Sequence, residues 1–507
     1  MSSDILSKKN IFTICFFVII AMPFFLFLGR HSIQIWDEAR NTLNLFEMYK
    51  SGNFLVTTYQ GAPDMWNTKP PLLHWFQLLF VNIFGFSELV IRIPSAIAGF
   101  LACVLLWGFL KKYTNNLYIA FLAAFVLATS NGFIDLHASR TADYDALLVL
   151  FTTINAISLF LYLETKKNKF LYIFFISLAL GVLTKSIAIL LLLPAYGLFV
   201  LFDRQLINLL KNKHFYLGIS LAAVLIGSFY FSREIQNPGY LKAVFENEIF
   251  GRYTKGLEGN ARPFDFYFQN FKSRFYWWIF FLPIGFVAGF FNTNMKWVRM
   301  TVYFTTLIAF HFLIISSAET KLPWYELPEY PFLSVIVAVG LFAVYRFFKE
   351  TYFAIESFRP KKSRNVLIAV FFGAMLLFPY YKMMAKVSSD KQEEYFRNNQ
   401  LLPEYLKDVL YNQRKIEDNI GVCVSMLNHH YHTEYYIIRL QEKGINIHFA
   451  DWKNLPDNQV ILMGHDDELK QIIEEHYAYE VLENHQSEWK YWGIKKYRII
   501  KKIKAFE

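Results

Sequence analysis

Residues 169–202 read KFLYIFFISLALGVLTKSIAILLLLPAYGLFVLF, with Lys169 and Lys185 as the only charges. A bilayer core of about 30 Å is crossed by about 20 apolar residues in a helix. The stretch is therefore read as two apolar runs, 169–184 and 186–202, with Lys185 stranded at a hairpin or break between them. Working outward, similar runs fall at 11–28, 90–110, 116–130, 144–163, 215–232, 274–292, 299–316, 326–346 and 366–384. The expectation is a polytopic, mainly α membrane bundle of about eleven helices. No internal repeat accompanies them.

Composition agrees. Of 507 residues, 55% are hydrophobic, 19% aromatic and 18% charged, against roughly 25% charged in a soluble globular chain. The 54 Phe and 31 Tyr make the apolar excess bulky, which suits lipid-facing helices. The net charge of +10 is dispersed between apolar runs and assembles no basic face, so nucleic acid is excluded as a partner. Cys15 and Cys103 sit in apolar runs and Cys423 stands alone in the polar C-terminal part, so neither a disulfide framework nor a zinc spacing follows. The first run follows Lys8 and Lys9 without a small-residue cleavage site and is expected to be retained as a helix.

Loop charge sets the expected orientation. KKYTNN (111–116), ETKKNK (164–169), DRQLINLLKNKH (203–214) and the stretch from Arg346 to Arg364 fall on one side. They are roughly twice as dense in Lys and Arg as the loops on the other side, which marks them as cytoplasmic. The long loops 29–89 and 233–273 are then external, and with an odd number of spans so is the C-terminal segment. Within the first loop, DEARNTLNLFEMYKS (37–51) gathers Ala39, Leu43, Phe46 and Met48 on one side, as in an amphipathic interfacial helix. Residues 71–84 are too short to span and read as a second interfacial or re-entrant helix.

From about 385 the material changes. Apolar runs at 420–426, 445–450, 459–464 and 479–484 alternate with helical stretches at 391–414, 430–442 and 467–476. This alternation predicts a soluble α/β domain over 385–507, following a transmembrane catalytic domain over 1–384. The tail has no Gly-rich phosphate fingerprint. Its HHYH run (429–432) reads as a helix start with solvent-facing histidines, and metal binding is the alternative.

The chemistry is expected where charge meets the membrane face. The external side collects Asp37, Glu38, Arg40, Lys69, Arg92, Arg140, Asp143, Asp145, Lys185, Arg252, Lys321 and Glu329. In IWDEAR (35–40), Asp37 and Arg40 share a helix face, although Asp37 also suits a plain N-cap and Glu38 the positive helix end. In WNTKPPLLHW (66–75) the tandem prolines fix a turn that holds Lys69 at the surface, where snorkelling is the plainer alternative. SRTADYDALLVLF (139–151) puts Arg140 and Asp145 around a helix start, with Asp143 between them. GVLTKS (181–186) carries Lys185. SSAETKLPWYELPEYPFL (316–333) locks Lys321 and Tyr325 among Pro323, Pro328 and Pro331.

Together these five motifs, in this order, resemble the GT-C superfamily of polyprenyl-phosphate-sugar-dependent glycosyltransferases. The likeness is to the branch of protein O-mannosyltransferases and lipid A aminoarabinose (ArnT-like) transferases, and it covers roughly residues 10–385. Residues 37–40 match Asp-Glu with a following Arg, 69–71 match Lys-Pro-Pro, and 140–145 match Arg and Asp five apart. Residues 183–185 match Leu-Thr-Lys, and 321–331 match Lys-x-x-x-Tyr-x-x-Pro-x-x-Pro. Two places depart from the pattern. Thr68 stands where this branch often has Glu, which argues against a metal site there. ENEIFGRYTKG (246–256) matches the Glu-rich segment ending in Arg252 with loose spacing.

The resemblance implies an inverting single displacement on an undecaprenyl-phosphate-linked sugar, with a lipid A-like glycolipid, another glycolipid or a protein hydroxyl as acceptor. It makes Asp37 the general base and Asp145 the second carboxylate. Arg40, Lys69, Lys185, Arg252 and Tyr325 are assigned to the donor phosphate, whose negative charge grows in the transition state. Glu38, Arg140, Asp143 and Lys321 are further candidates. No metal is assigned, and no ligand set supports a divalent cation. The competing class is a transporter or flippase of lipid-linked sugars, which calls for charge buried in mid-helix rather than at one face. A receptor working through its C-terminal domain would leave the external charges unexplained.

Overall fold

The computed structural model describes residues 8–135, 137–254, 256, 259–352, 361–389, 394–416, 419–425, 430–485 and 493–504. The chain divides into two compact units: Met1–Leu28, Met48–Gly85 and Arg92–Ser388 form one, and Gly29–Glu47, Phe86–Ile91 and Ser389–Glu507 the other.

The first unit is helical. Among the described residues seven helical runs are long and apolar enough to cross a membrane: Glu88–Thr114, Asp145–Thr165, Lys169–Phe202, Lys213–Gln236, Met295–Ser317, Pro323–Glu350 and Val366–Ser388. The pair Phe266–Arg274 and Tyr276–Phe290, bent by 107°, makes an eighth if it counts as one span. The chain is a multi-pass membrane protein. Length and composition thus support seven or eight of the about eleven spans expected, and the others fall on shorter or merged elements. Asn10–Phe25 and Leu117–Ala128 are short, 169–202 counts as one run although it folds back in its middle, and the 107° bend at the start of 274–292 leaves Tyr276–Phe290 as a short helix.

Lys169–Phe202 is not one straight rod. Its first α-helical part ends at Lys185, a 3-10 stretch covers Ser186–Leu192, and α-helix resumes over Leu193–Phe202. Ser186 has a positive φ of 47°. A Cβ built on Gly181 would lie 3.1 Å from the Cβ of Ile189 and 2.3 Å from its Cδ1. Eight residues along a straight helix are about 12 Å apart, so the chain folds back at Lys185–Ser186, as the hairpin reading of this segment anticipated.

The helix Asp145–Thr165 shows how polar residues are tolerated inside such a bundle. Nearly all of it is buried. The Thr152 and Thr153 hydroxyls return to the carbonyls of Leu148 and Val149, each at 2.7 Å, and Asn155 Nδ2 donates to the Phe174 carbonyl at 2.7 Å. These donors are therefore satisfied where no water competes, while Asn155 Oδ1 is buried without a partner among the described residues. Helices Leu282–Phe290 and Tyr330–Arg346 meet at glycines: a Cβ on Gly285 would sit 2.1 Å from the Ile336 carbonyl oxygen. Only the missing side chains allow that approach.

The short apolar helix 71–84 appears as Leu72–Phe84, burying Leu72, Leu73, His74 and Leu78 while exposing Leu79 and Ile83. The helix foreseen at 37–51 is present as Asp37–Ser51, but it is not half-wet. Leu43, Phe46 and Met48 are buried, and so are Glu38, Arg40, Asn41 and Asn44. An amphipathic pattern there marks two kinds of buried neighbour, not a water-facing side.

The second unit holds a five-stranded sheet built from Ile420–Cys423 (β1), Ile447–Phe449 (β2), Val460–Met463 (β3), Tyr477–Asn484 (β4) and Lys495–Lys502 (β5). The order is β2-β1-β3-β5-β4. β1 is parallel to β2 and β3, while β5 runs antiparallel to β3 and β4. The tail's helices are Glu394–Leu410, Tyr431–Glu442 and Asp467–His476. β5 escaped the sequence reading because KKYRIIKK looks like a charged tail. In the sheet Lys496 is buried and Glu483 lies 3.4 Å from its Nζ.

Within this unit, Gly29–Glu47 and Phe86–Ile91 are tied to the C-terminal part by polar contacts. The Ile33 amide donates to the Tyr436 hydroxyl at 3.0 Å. The Tyr436 and Tyr411 hydroxyls donate to the two oxygens of Glu88, at 2.5 and 2.8 Å. Ser32 N donates to Glu404 at 2.7 Å. His432 was expected to face solvent; instead it is buried in Tyr431–Glu442 and bonds the Asn399 carbonyl at 3.0 Å. His429 lies outside the described residues.

Candidate active site

In the first unit, the fold-back at Lys185 delivers an ammonium to the start of Asp145–Thr165. Lys185 Nζ donates to both oxygens of Asp145, at 2.6 and 2.7 Å, and both residues are buried. The same ammonium lies 5.4 Å from the centre of the Tyr325 ring, within cation–π range. Asp145, Lys185 and Tyr325 line one cavity of about 470 Å³ with Glu248, Tyr253 and His311. The remaining wall is largely apolar, including Leu148, Ile187, Leu191, Phe245 and Ile314. A charged end and a greasy wall in one cavity suit an amphiphile with an anionic head.

Tyr325 is held by its own sequence. In PWYELPE the prolines remove donors that a regular α-helix needs, and Pro323–Glu329 forms a 3-10 helix. Other side chains of the turn are fastened by contacts of their own. The Trp324 ring stacks on His137 at 3.6 Å between centroids. Glu326 lies 3.5 Å from Arg274 and accepts from the Tyr330 hydroxyl at 2.8 Å. Glu329 bonds His311 Nδ1 at 2.8 Å.

Lys69 follows the buried Thr68. Its ammonium is 3.5 Å from Glu248 and 5.9 Å from the centre of the Tyr144 ring, so it is paired inside the protein rather than snorkelling. The Thr68 hydroxyl also donates to Glu248, at 3.3 Å. Tyr240 donates to the Thr68 carbonyl at 2.8 Å, and burial pushes its phenol well above the ordinary tyrosine range.

The other candidates are placed differently. Arg140 donates to the carbonyls of Pro23, Phe24 and Leu26, closing the end of the first helix. Asp143 lies 3.4 Å from His137 Nδ1. Lys321 donates to the carbonyls of Arg262, at 2.8 Å, and Ala318, pinning the segment ahead of Pro323. Asp37, Glu38 and Arg40 fall in the second unit. There Glu38 accepts from the Gln34 amide at 2.7 Å and Arg40 lies 4.8 Å from the Tyr431 ring centre. Arg252 belongs to the short helix Gly251–Thr254, and its side chain lies outside the described residues.

Sequence reasoning missed Glu248 and His311. Glu248 was legible as an acid in the ENEIF run, but nothing in the spacing singled it out from its neighbours. His311 is a lone imidazole in an otherwise apolar span, a signal that deserved weight on polarity alone.

Comparison with known proteins agrees with this architecture. The family model described as dolichyl-phosphate-mannose-protein mannosyltransferase matches residues 68–230. A protein of Aquifex aeolicus is 29% identical over 332 residues, 64% of this chain and 63% of its own. The undecaprenyl phosphate-alpha-4-amino-4-deoxy-L-arabinose arabinosyl transferase 1 of Proteus mirabilis is 26% identical over 329 residues, 64% of this chain and 58% of its own. The match thus spans about three fifths of the length of these relatives. The crystal structure of ArnT from Cupriavidus metallidurans bound to undecaprenyl phosphate superposes with a TM-score of 0.67 at 15% identity, over 97% of this chain and 98% of that one. The fold is therefore the one seen in ArnT, and the family-model match falls on the stretch that carries the Lys-Pro-Pro and Leu-Thr-Lys motifs. In sequence the chain is similar to the arabinosyl transferases over part of their length.

Proposed function

We propose that the protein transfers a sugar from an undecaprenyl-phosphate carrier to an acceptor hydroxyl on the external face of the bacterial inner membrane. The observation that carries this reading is the single cavity that joins the Asp145–Lys185–Tyr325 group to an apolar wall. That pairing of surfaces fits a phosphate head and the first isoprene units of its tail. The name of the Proteus relative supports the carrier class, and loop charge supports the orientation.

In the proposed reaction the acceptor oxygen bonds the anomeric carbon as the bond from that carbon to the phosphate oxygen breaks. The configuration inverts, and the carrier leaves as a phosphomonoester. Asp37 takes the hydroxyl proton. Lys185, Lys69, Arg40 and Arg252 answer the charge that develops on the phosphate, with Tyr325 beside it. Asp145 keeps Lys185 aimed at the cavity. The acceptor is a glycolipid such as lipid A or a protein hydroxyl, and residues 385–507 act as a separate soluble domain that recruits it.

The test is transfer from a panel of radiolabelled undecaprenyl-phosphate sugars into membrane extract by wild type and by Asp37→Ala. Wild-type transfer that falls by about 10²-fold or more in the variant is the expected result, in line with loss of a general base. Equal activity in both removes Asp37 as the base. Movement of donor across vesicles without transfer hands the case to a flippase.

A further inference from the structure

Among the described residues, the cavity wall holds one polar pair that the proposed reaction does not use. His311 lies in Met295–Ser317 and lines the cavity. Glu329 stands behind it, ending the 3-10 helix that carries Tyr325, and the 2.8 Å bond joins its Oε1 to His311 Nδ1. The two side chains are 2% and 1% exposed, so neither is a surface group that happens to have met a partner.

Proton counting decides what this pair offers. Nδ1 and Oε1 share one proton. A carboxyl protonated on Oε1 beside a neutral imidazole, and a carboxylate beside an imidazolium, are both electrically neutral as pairs. In each of them Nε2 carries its own hydrogen. Two forms leave Nε2 bare. A carboxylate with an imidazole protonated only at Nδ1 buries a net negative charge next to Ile314 and Ile315, which is costly. A carboxyl protonated on Oε2 buries a hydrogen with no acceptor, since Oε2 has no partner among the described residues. The titratable groups sharing the cavity are Asp145, Lys185, Glu248, Tyr253 and Tyr325. Its carboxylates also favour a pair that is not anionic. Nδ1 is already committed, so Nε2–H is the donor left to the cavity.

We propose that His311 contacts the ligand, donating from Nε2 to an oxygen of the carrier's glycosyl-phosphate head, and that Glu329 is the positioning residue that fixes its ring. This rests on the reading of the cavity as the carrier site and adds a recognition residue that none of the five motifs contains. Since Glu329 and Tyr325 share one rigid turn, the same pair couples the ring of His311 to the placement of Tyr325.

The test is binding of radiolabelled undecaprenyl phosphate, and of the same carrier bearing each of a panel of sugars, to the purified full chain in nanodiscs. His311→Leu is expected to weaken binding about tenfold, as for loss of a buried hydrogen bond. His311→Gln keeps an N–H donor and is expected to stay within about threefold of wild type. Melting of the unliganded variants checks that both fold. Loss with both ligands assigns the contact to a phosphate oxygen, and loss only with the glycosylated carrier assigns it to the sugar. Either upholds the proposal. Equal weakening in the Leu and Gln variants indicates a merely structural histidine and overturns it, as does no change in either. Lys185→Ala separates the two levels of argument. If wild type and Lys185→Ala bind neither ligand, the carrier reading itself falls. If wild type binds, Lys185→Ala does not and His311→Leu is unaltered, this inference alone falls.

Discussion

At the scale of the residue, the molecule turns on a lysine whose charge is paired inside the bundle. Lys185 gives its ammonium to both oxygens of Asp145 inside the bundle. Removing one member of such a pair leaves the other charged and buried, a loss of about 3–5 kcal/mol. Lys185→Ala should therefore lower the melting temperature in detergent markedly. The double variant Lys185→Met, Asp145→Leu should recover much of it, because no lone charge remains. Carrier binding should stay lost in both, which separates stability from recognition. How much of this was legible varies by residue. Lys185 stood out because nothing else in 34 residues of apolar helix carries charge in its middle, and Tyr325 because prolines fence it. The partnership with Asp145 joins positions 40 apart in sequence, and no local pattern reports such a meeting. Arg140 and Lys321 illustrate the converse. Both were conspicuous cations, and the structure gives their donors to main-chain carbonyls.

At the scale of the element, the helices are fixed as much by where side chains are missing as by where they pack. Gly285 faces the Ile336 carbonyl so closely that a methyl group has no room. Gly285→Ala should cost about 1–3 kcal/mol through forced separation of the two helices, read as a lower midpoint in thermal or denaturant unfolding. The 3-10 helix Pro323–Glu329 makes a second case. Tyr330→Phe removes the hydroxyl that Glu326 accepts at 2.8 Å, leaving a buried carboxylate short of a donor at a cost of about 1–3 kcal/mol. The same change should loosen Tyr325, so carrier binding should weaken along with stability. Element existence was readable from apolar run lengths. The 107° bend after Arg274 was not; at Lys185 the sequence left a hairpin or a break open, and packing of Ile189 back on Gly181 selects the hairpin. The strand Lys495–Lys502 was hidden for an electrostatic reason: its lysines are matched by acids elsewhere, among them Glu483.

At the scale of the whole molecule, the second unit carries a built-in response to acid. In the second unit, burial pushes the His432 imidazole down to about 3, helped by His430 and opposed by its bond to the Asn399 carbonyl. The unfolded imidazole titrates near 6.5. The folded state then binds fewer protons than the unfolded chain between these values, so stability is complete above about 6.5 and drains away as pH falls towards 3. Burial pushes the Glu404 carboxyl up, but His31, Lys407 and the Ser32 amide together bring it below the ordinary range. Its share is present above the usual carboxylate range and is lost as pH falls through the folded value. Hydrogen-exchange protection in Glu394–Leu410 and Tyr431–Glu442, corrected for the intrinsic rate at each pH, should fall between pH 7 and 5, and His432→Gln should flatten that slope while leaving the later loss tied to Glu404.

The return at Ser186 also constrains the gene in an unfamiliar way. A helix turns by about 100° per residue, and the register of Lys169–Lys185 alone decides whether the lysine at its end meets Asp145 or the lipid. Its interior apolar letters are exchangeable for others of similar bulk, but a single codon gained or lost within them swings the charge to the wrong side. For this segment, length is the inherited information and spelling is largely free.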